Sequence, residues 1–370
     1  MSTTTFLKLG GLAVLAMLLR PASLQTGPAV SIEQVATLRA ARAAHTATTL
    51  TSGQVLVVGG MATGGSSLAT VELFDPTNNT VQQLGSLAED RAGHTATLLR
   101  DGRVLITGGY NGDDYLRSME VFDPSTKRFL QRGFLVEARS GHTATLLPDG
   151  RVLFVGGVGR GWTFLSSAEV CDAGSGRCEA VGSMHVPRES HTATLLTDGY
   201  VLVIGGHSGR RQAMEVYASA EVFSPQARRF EAIGALATAR HKHDAVRLAD
   251  GRVLVIGGAD RSDRVHYATT EIYSPGTRTF NRGPSMANRR YKIAGTSILL
   301  PNGGVLVTAG ARSAEILDLG RWAFSEVPGR FPDAYRFATA APLPGGDVFI
   351  AGGYSDGNKN TAGIWRFRGP

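Results

Sequence analysis

The segment Arg91-Ala-Gly-His94-Thr-Ala-Thr-Leu-Leu-Arg-Asp101-Gly102-Arg-Val-Leu-Ile-Thr-Gly108-Gly109 decides the fold, because it recurs almost verbatim along the chain. Close copies run from Arg42 to Gly60, Arg139 to Gly157, Arg188 to Gly206 and Arg240 to Gly258. Two looser copies follow, from Lys292 to Gly310 and from Tyr335 to Gly353. Self-similarity at a period of about 50 residues is the signature of a repeat architecture. Each copy reads as a β-hairpin. The His-Thr-Ala-Thr-Leu-Leu and Val-Leu-Val-Val runs are apolar and β-branched, as buried strands require. Between them sit Asp101-Gly102, Asp149-Gly150, Asp198-Gly199, Asp250-Gly251, Asn302-Gly303 and the looser Ser52-Gly53 and Gly345-Gly346. Such pairs predict a two-residue turn with positive φ at both positions. The double glycine closing each copy leaves room for a close backbone approach.

Working outward, a second half follows each hairpin. Glu120-Val-Phe122-Asp-Pro124 recurs as Glu72-Leu-Phe74-Asp-Pro76, Glu221-Val-Phe223-Ser-Pro225 and Glu271-Ile-Tyr273-Ser-Pro275. A bulky residue stands seven positions beyond each aromatic: Phe129, Val81, Phe230 and Phe280. Four antiparallel strands in every repeat make one propeller blade. The last repeat lacks a fourth strand before Pro370, whereas Ser31 to Arg39 reads as a fourth strand with no blade of its own. The expected fold is therefore all-β: a seven-bladed propeller over 31–370, closed by the N-terminal strand and leaving no open sheet edge. The double glycine, the Glu-x-aromatic-x-Pro segment and the Arg-x-x-His opening resemble the kelch repeat family, in the manner of exported bacterial kelch propellers. That resemblance covers 31–370 and speaks to fold, since such propellers host binding modules, scaffolds and enzymes alike.

Composition agrees. Glycine supplies 47 of 370 residues without a triplet period, and hydrophobics make up 42%, which fits many tight turns around a packed core and excludes collagen and disorder. The net charge of +7 is spread over arginines with no basic run, so no nucleic-acid partner is expected. Lys8 and the apolar run Gly10 to Leu19 read as a signal peptide over 1–23, followed by a linker over 24–30. That run is shorter than the ~20 residues of a membrane span. The expectation is a secreted or periplasmic monomer without a membrane span.

The only cysteines, Cys171 and Cys178, occupy the positions held elsewhere by facing aromatic pairs, so a structural disulfide is expected in an oxidising compartment. His45, His94, His142, His191 and His243 share one repeat position, with Gly295 and Ala338 in the last two copies. A metal ring is one reading; the simpler one is the same local hydrogen bond made in each blade. Arg42, Arg91, Arg139, Arg188 and Arg240 recur with Glu72, Glu120, Glu169, Glu221 and Glu271. In the sixth copy Lys292 stands beside Glu315, and in the seventh Tyr335 and Gly363 lose both charges together. Joint loss points to pairing within the scaffold.

Function then falls to the parts that break the repeat. The long loops between second and third strands, with the blade-to-blade connections on the same face, supply the candidate ligand-binding residues. These are Tyr110, Tyr115, Arg160, Trp162, His207, Arg210, Arg211, Arg261, His266, Tyr267, Tyr291 and Tyr354. Planar aromatics and forked Arg donors suit a glycan, an anionic group or a partner protein. No catalytic triad, carboxylate pair or phosphate loop stands out, so no catalytic residue, metal or cofactor is assigned. The leading reading is an exported binding module. The alternative is a carbohydrate-active enzyme, either epimerase-like or similar to the galactose oxidase central propeller. The latter resemblance implies a copper site of two tyrosines, two histidines and a tyrosine-bonded cysteine. Here His241, His243 and Tyr291 could contribute, but both cysteines are claimed by the disulfide and no companion domain is expected.

Overall fold

A computed structural model describes Met1 and residues 30–369. The expected signal peptide falls on residues outside that range. Seven four-stranded antiparallel sheets form the ring. In blade 1 the strands are Thr46–Thr49, Val55–Val58, Thr70–Asp75 and Thr80–Ser86, from the axis outward. Blade 7 is assembled from Thr339–Pro342, Val348–Ala351, Gly363–Arg368 and, on its outer edge, Ser31–Thr37 from the start of the ring. The closure expected from strand arithmetic is the one observed. Among the described residues no helix is long and apolar enough to cross a membrane.

The residue types explain the layering. The second strand of every blade is fully buried, as continuous Val-Leu-Ile runs demand. First strands such as Thr46–Thr49 and Thr95–Leu98 are half-exposed along the axis, which suits their alternating Thr and Ala. Seven apolar clusters fill the wedges between neighbouring blades; Leu56 and Val58 of blade 1, for example, meet Val104 and Ile106 of blade 2. The double glycine is a space requirement. Gly59 and Gly60 have φ of 56° and 100°, and a Cβ would lie 2.6 Å from the Arg91 carbonyl or from His45 Cβ.

The inner turns differ from expectation. Gly102 has φ 83°, but Asp101 is not left-handed. The Gly102 N–H reaches the Leu99 carbonyl (3.1 Å) while the Leu99 N–H reaches Arg103 (2.8 Å). This is a type I turn with a glycine bulge, and the same bond pair occurs in all seven blades. The Asp101 carboxylate accepts the Arg103 N–H at 3.1 Å, so the aspartate is selected as a turn cap.

Six blades carry a buried Arg–Glu pair. Arg91 Nη2 donates to Glu120 Oε1 at 2.9 Å, its Nη1 to the Gly108 carbonyl at 2.8 Å, and Glu120 Oε2 accepts the Ala88 N–H at 3.0 Å. Each pair thus clamps the incoming connection to its blade. The sixth pair is Arg290–Glu315 at 2.9 Å, not Lys292–Glu315. Two extra residues, Ala294 and Gly295, displace the sequence register here, and Ile293 rather than Gly295 fills the histidine position, touching the space beside Gly310. In blade 7 the pair is replaced by Tyr335 and Trp365, with ring centroids 5.2 Å apart. Trp365 stands opposite Ile350 at the glutamate position, and Gly363 gives room to its ring.

The five histidines make one repeated bond, but between blades and not locally within each as expected. His94 Nε2 lies 3.1 Å from Thr46 Oγ1 of the preceding blade, and His142, His191, His243 and His45 repeat the contact with Thr95, Thr143, Thr192 and Thr339. Where blade 6 lacks a histidine, Asp244 of blade 5 accepts the N–H groups of Gly295, Thr296 and Ser297 at 3.0, 2.9 and 2.8 Å. Cys171 and Cys178 are directly opposed in the outer hairpin of blade 3 and form a disulfide. Phe122–Phe129, Phe223–Phe230 and Tyr273–Phe280 hold that place elsewhere, with centroids 5.0 Å apart.

Candidate functional site

The residue two positions after each repeat arginine, or after Tyr335 in blade 7, is left-handed. The series is Ala44, Gly93, Gly141, Ser190, Lys242, Lys292 and Phe337, with φ between 50° and 64°. Each N–H, save that of Ser190, donates to the carbonyl of its counterpart in the preceding blade. The bonds are Gly93 to Ala44 (3.2 Å), Gly141 to Gly93 (2.9 Å), Lys242 to Ser190 (3.0 Å), Lys292 to Lys242 (2.8 Å), Phe337 to Lys292 (2.9 Å) and Ala44 to Phe337 (3.1 Å). A ring of backbone hydrogen bonds therefore surrounds the axis on the loop face, broken only between blades 3 and 4.

The side chains on this ring are asymmetric. Blades 1 to 3 contribute Ala44, Gly93 and Gly141, preceded by Ala43, Ala92 and Ser140, so this sector is nearly bare. Blades 4 to 7 contribute Ser190, Lys242, Lys292 and Phe337, preceded by Glu189, His241, Tyr291 and Arg336. The preceding residues bridge to the opening residues of the long loops, as in Glu189–His207, His241–Ala259 and Arg336–Tyr354. The repeat thus aligns the most variable side chains as an arc around half the mouth.

Contacts tie that arc together. The His207 and His241 rings lie 4.6 Å apart, with their Nδ1 atoms at 3.0 Å. His241 Nε2 is 3.1 Å from the Asp260 carbonyl and 3.0 Å from an Asp263 carboxylate oxygen, so this nitrogen carries a proton. Burial, with His241 and Lys242 nearby, lowers His207 to about 3. Lys242 is ion-paired to Asp263. Although burial alone would raise the Asp263 carboxyl, His241 and Lys242 hold it well below the usual carboxylate range. Glu189 is 31% exposed, 3.6 Å from His207 Nε2. Burial raises its carboxyl against the pull of Lys242 and Arg210. Farther round, the Lys292 ammonium lies 5.2, 5.5 and 5.2 Å from the rings of Tyr291, Phe337 and Tyr354. Arg336 sits 4.9 Å over Tyr291 and pairs with Asp356.

The residues singled out from sequence divide into distinct places. His207, Tyr291, Tyr354 and His266 belong to the arc, with His266 stacked on Tyr291 at 3.6 Å. Tyr110, Tyr115, Trp162 and Arg210 form a second cluster across blades 2 to 4. Its centroids are 5.1 Å apart for Tyr110–Tyr115 and 5.7 Å for Tyr115–Trp162, and the Arg210 guanidinium lies 3.0 Å from the Trp162 ring centre. Burial raises the Tyr115 hydroxyl to about 12. Arg160, Arg211 and Arg261 are exposed on loop tips; Arg261 reaches only the Gln212 carbonyl, at 3.4 Å. Tyr267 faces the scaffold Arg240 at 5.3 Å, as Tyr217 faces Arg188 at 5.4 Å, so its ring belongs to the repeat. Sequence reasoning missed Glu189, Lys292 and Phe337. Counting two positions from the repeat arginine would have found the last two, had Arg290 been aligned correctly.

Among the described residues the one compact His/Cys/Asp/Glu grouping is Glu169 with Cys171 and Cys178, and its sulfurs are bonded to each other. The same disulfide removes the tyrosine-bonded cysteine of a galactose oxidase-like site. The Kelch motif family model matches residues 42–88 and 91–131, covering blade 1 and most of blade 2. No curated protein matches the chain. Together with the seven-bladed ring, the match supports a kelch repeat propeller, and kelch repeats on a propeller suggest a protein-interaction module.

Proposed function

We propose, from the kelch repeat propeller as premise, that this chain is an exported protein-interaction module whose partner docks on the loop face over the polar arc. The carrying observation is the asymmetry of the axial mouth. One scaffold position presents Ala, Gly, Gly and Ser in four blades and Lys, Lys and Phe in three, which the repeat architecture does not require. Export is supported by the apolar run Gly10 to Leu19 and by the Cys171–Cys178 disulfide, a bond that persists in oxidising compartments.

A polypeptide fits this face better than a sugar ring. Trp162 is 50% exposed, but Arg210 covers one indole face and Tyr115 meets the ring edge-on. One of the two flat faces a sugar would stack upon is therefore already used. The Trp162–Arg210 pair resembles the aromatic and arginine anchors that dominate protein interfaces. A photo-reactive phenylalanine analogue at Trp162, and another at Asn78 on the opposite face, tests the reading in the exporting cell. Cross-linking to one defined protein from position 162 and not from 78 is expected. Equal labelling from both positions, or none, would remove the docking face.

A further inference from the structure

We propose that Lys292, in its cup of Tyr291, Phe337 and Tyr354, seats a single carboxylate group brought by the bound polypeptide. This rests on the protein-interaction reading and names the chemistry that the mouth selects.

Three cations ring the mouth. Lys242 is paired with Asp263, and Arg336 with Asp356. Among the described residues, Lys292 has no carboxylate within 4.0 Å. Lys242 and Arg336 thus have carboxylate partners and Lys292 has none; the arc's third carboxylate, Glu189, lies instead beside His207, 3.6 Å from its Nε2. Its Nζ donates to the Tyr354 hydroxyl, leaving two ammonium hydrogens free. Because the Tyr354 oxygen accepts from Lys292, its own O–H remains available as a donor. A carboxylate at the cup would therefore receive hydrogen bonds from both Lys292 and Tyr354.

Other features agree. Lys292 is half-buried, and its ammonium lies below the ordinary lysine value; burial is the main cause, with Arg336 acting the same way and Asp263 against it. An incoming anion would relieve that penalty. Burial also raises Tyr354, so it stays a phenol and keeps its proton to donate. Lys292 belongs to the hydrogen-bonded ring around the axis, and the opposite sector carries only Ala44, Gly93 and Gly141, so an acidic group has an open approach. A monoanion is favoured over phosphate or sulfate. A dianion would leave the cup negative, and the nearby guanidinium that could grip it bidentately is committed to Asp356.

The chain holds five lysines: Lys8, Lys127, Lys242, Lys292 and Lys359. Protein labelled with ¹³C-lysine therefore gives a simple Cε spectrum, and Lys292→Gln assigns the resonance. The probes are acetate, sulfate and three versions of one short peptide: free C-terminus, amidated, and amidated with an internal Glu. The Lys292 Cε signal should shift saturably with acetate and with either carboxylate peptide, and not with the neutral amidated one. The two peptides distinguish a C-terminal from a side-chain carboxylate. Tyr354→Phe should weaken acetate binding about tenfold or more while the protein stays folded. Shifts at Lys292 no larger than those at exposed Lys127 and Lys359 would overturn the site, as would a stronger response to sulfate. Acetate binding without carboxylate-peptide binding would refute the polypeptide source. A partner that cross-links at position 162 and binds Lys292→Gln unchanged would overturn the anchor and leave the docking face standing.

Discussion

Mild acid should weaken this fold steeply, and the cause can be counted in the structure. His45, His94, His142, His191 and His243 are buried in the inter-blade contacts, each with Nε2 on a threonine hydroxyl and Nδ1 without a hydrogen-bond partner. Burial and the neighbouring arginine charge hold His45, His142 and His243 well below 6.5, and hold His94 and His191 near 3. His207 makes a sixth such group, also near 3. In the unfolded chain these imidazoles take up protons as pH falls through 6.5, while in the fold they remain neutral. The unfolded state therefore binds more protons, and stability falls with falling pH until the folded values are approached. Between pH 7.5 and 5.5 each group contributes a loss of about 1.3 kcal/mol, or about 8 kcal/mol for six. This result depends only on the folded values lying well below 5.5. The buried Asp244 and the half-buried Glu189, whose carboxyl values are raised by desolvation, act in the opposite direction and trim the total. Equilibrium urea unfolding at pH 7.5, 6.5 and 5.5, followed by tryptophan fluorescence, measures the loss. His94→Gln should flatten the dependence by about a sixth of the whole. A fall below about 2 kcal/mol over that range would refute the count of neutral buried histidines.

Replacing both Cys171 and Cys178 by serine should cost about 2–3 kcal/mol, as closing so short a loop predicts. Phenylalanine at both positions should recover part of that in a thermal melt, by restoring the ring pair found in blades 2 and 4. Glu120→Gln leaves the buried Arg91 with only the half-exposed Glu89, at 3.6 Å, and should destabilise by up to about 3–5 kcal/mol in urea unfolding; an unchanged midpoint would refute the clamp. Tyr335→Arg or Trp365→Glu alone should unfold blade 7, whereas the double variant should be more stable than either single one. Deleting Ser31–Thr37 exposes the edge of Gly363–Arg368 and should produce self-association, visible by light scattering.

The seven blades, their closure and the disulfide were all legible in the sequence because each is written as a recurrence. His94 and Arg91 look alike in five copies, so their shared roles could be inferred without coordinates. Legibility failed where the repeat slips. Ala294 and Gly295 move Arg290 out of sequence register, so Lys292 was read as the clamp while its side chain faces the mouth. The Tyr335–Trp365 exchange was half visible, because the tyrosine lies in register but its partner is found only from strand pairing. Turn type also escaped, since Asp-Gly serves both a two-residue turn and a bulged one, and the backbone twist chooses between them. Among the site residues, Tyr267 and Trp162 looked equivalent in sequence. Only packing shows that one ring lies against a scaffold arginine and the other carries an exposed one.

Closure by Ser31–Thr37 also has a consequence in time. The strand is synthesised before every blade, yet the strand it pairs with, Gly363–Arg368, is the last of the ring to be made. At about 5–20 residues per second the two are separated by roughly 15–65 s of synthesis. Throughout that interval the first strand has nowhere to pair, and the seventh sheet cannot form. A chain built this way keeps the two ends of its ring apart until the seventh blade has been made. Joining first strand to last then acts as the latch that commits the ring to its folded state.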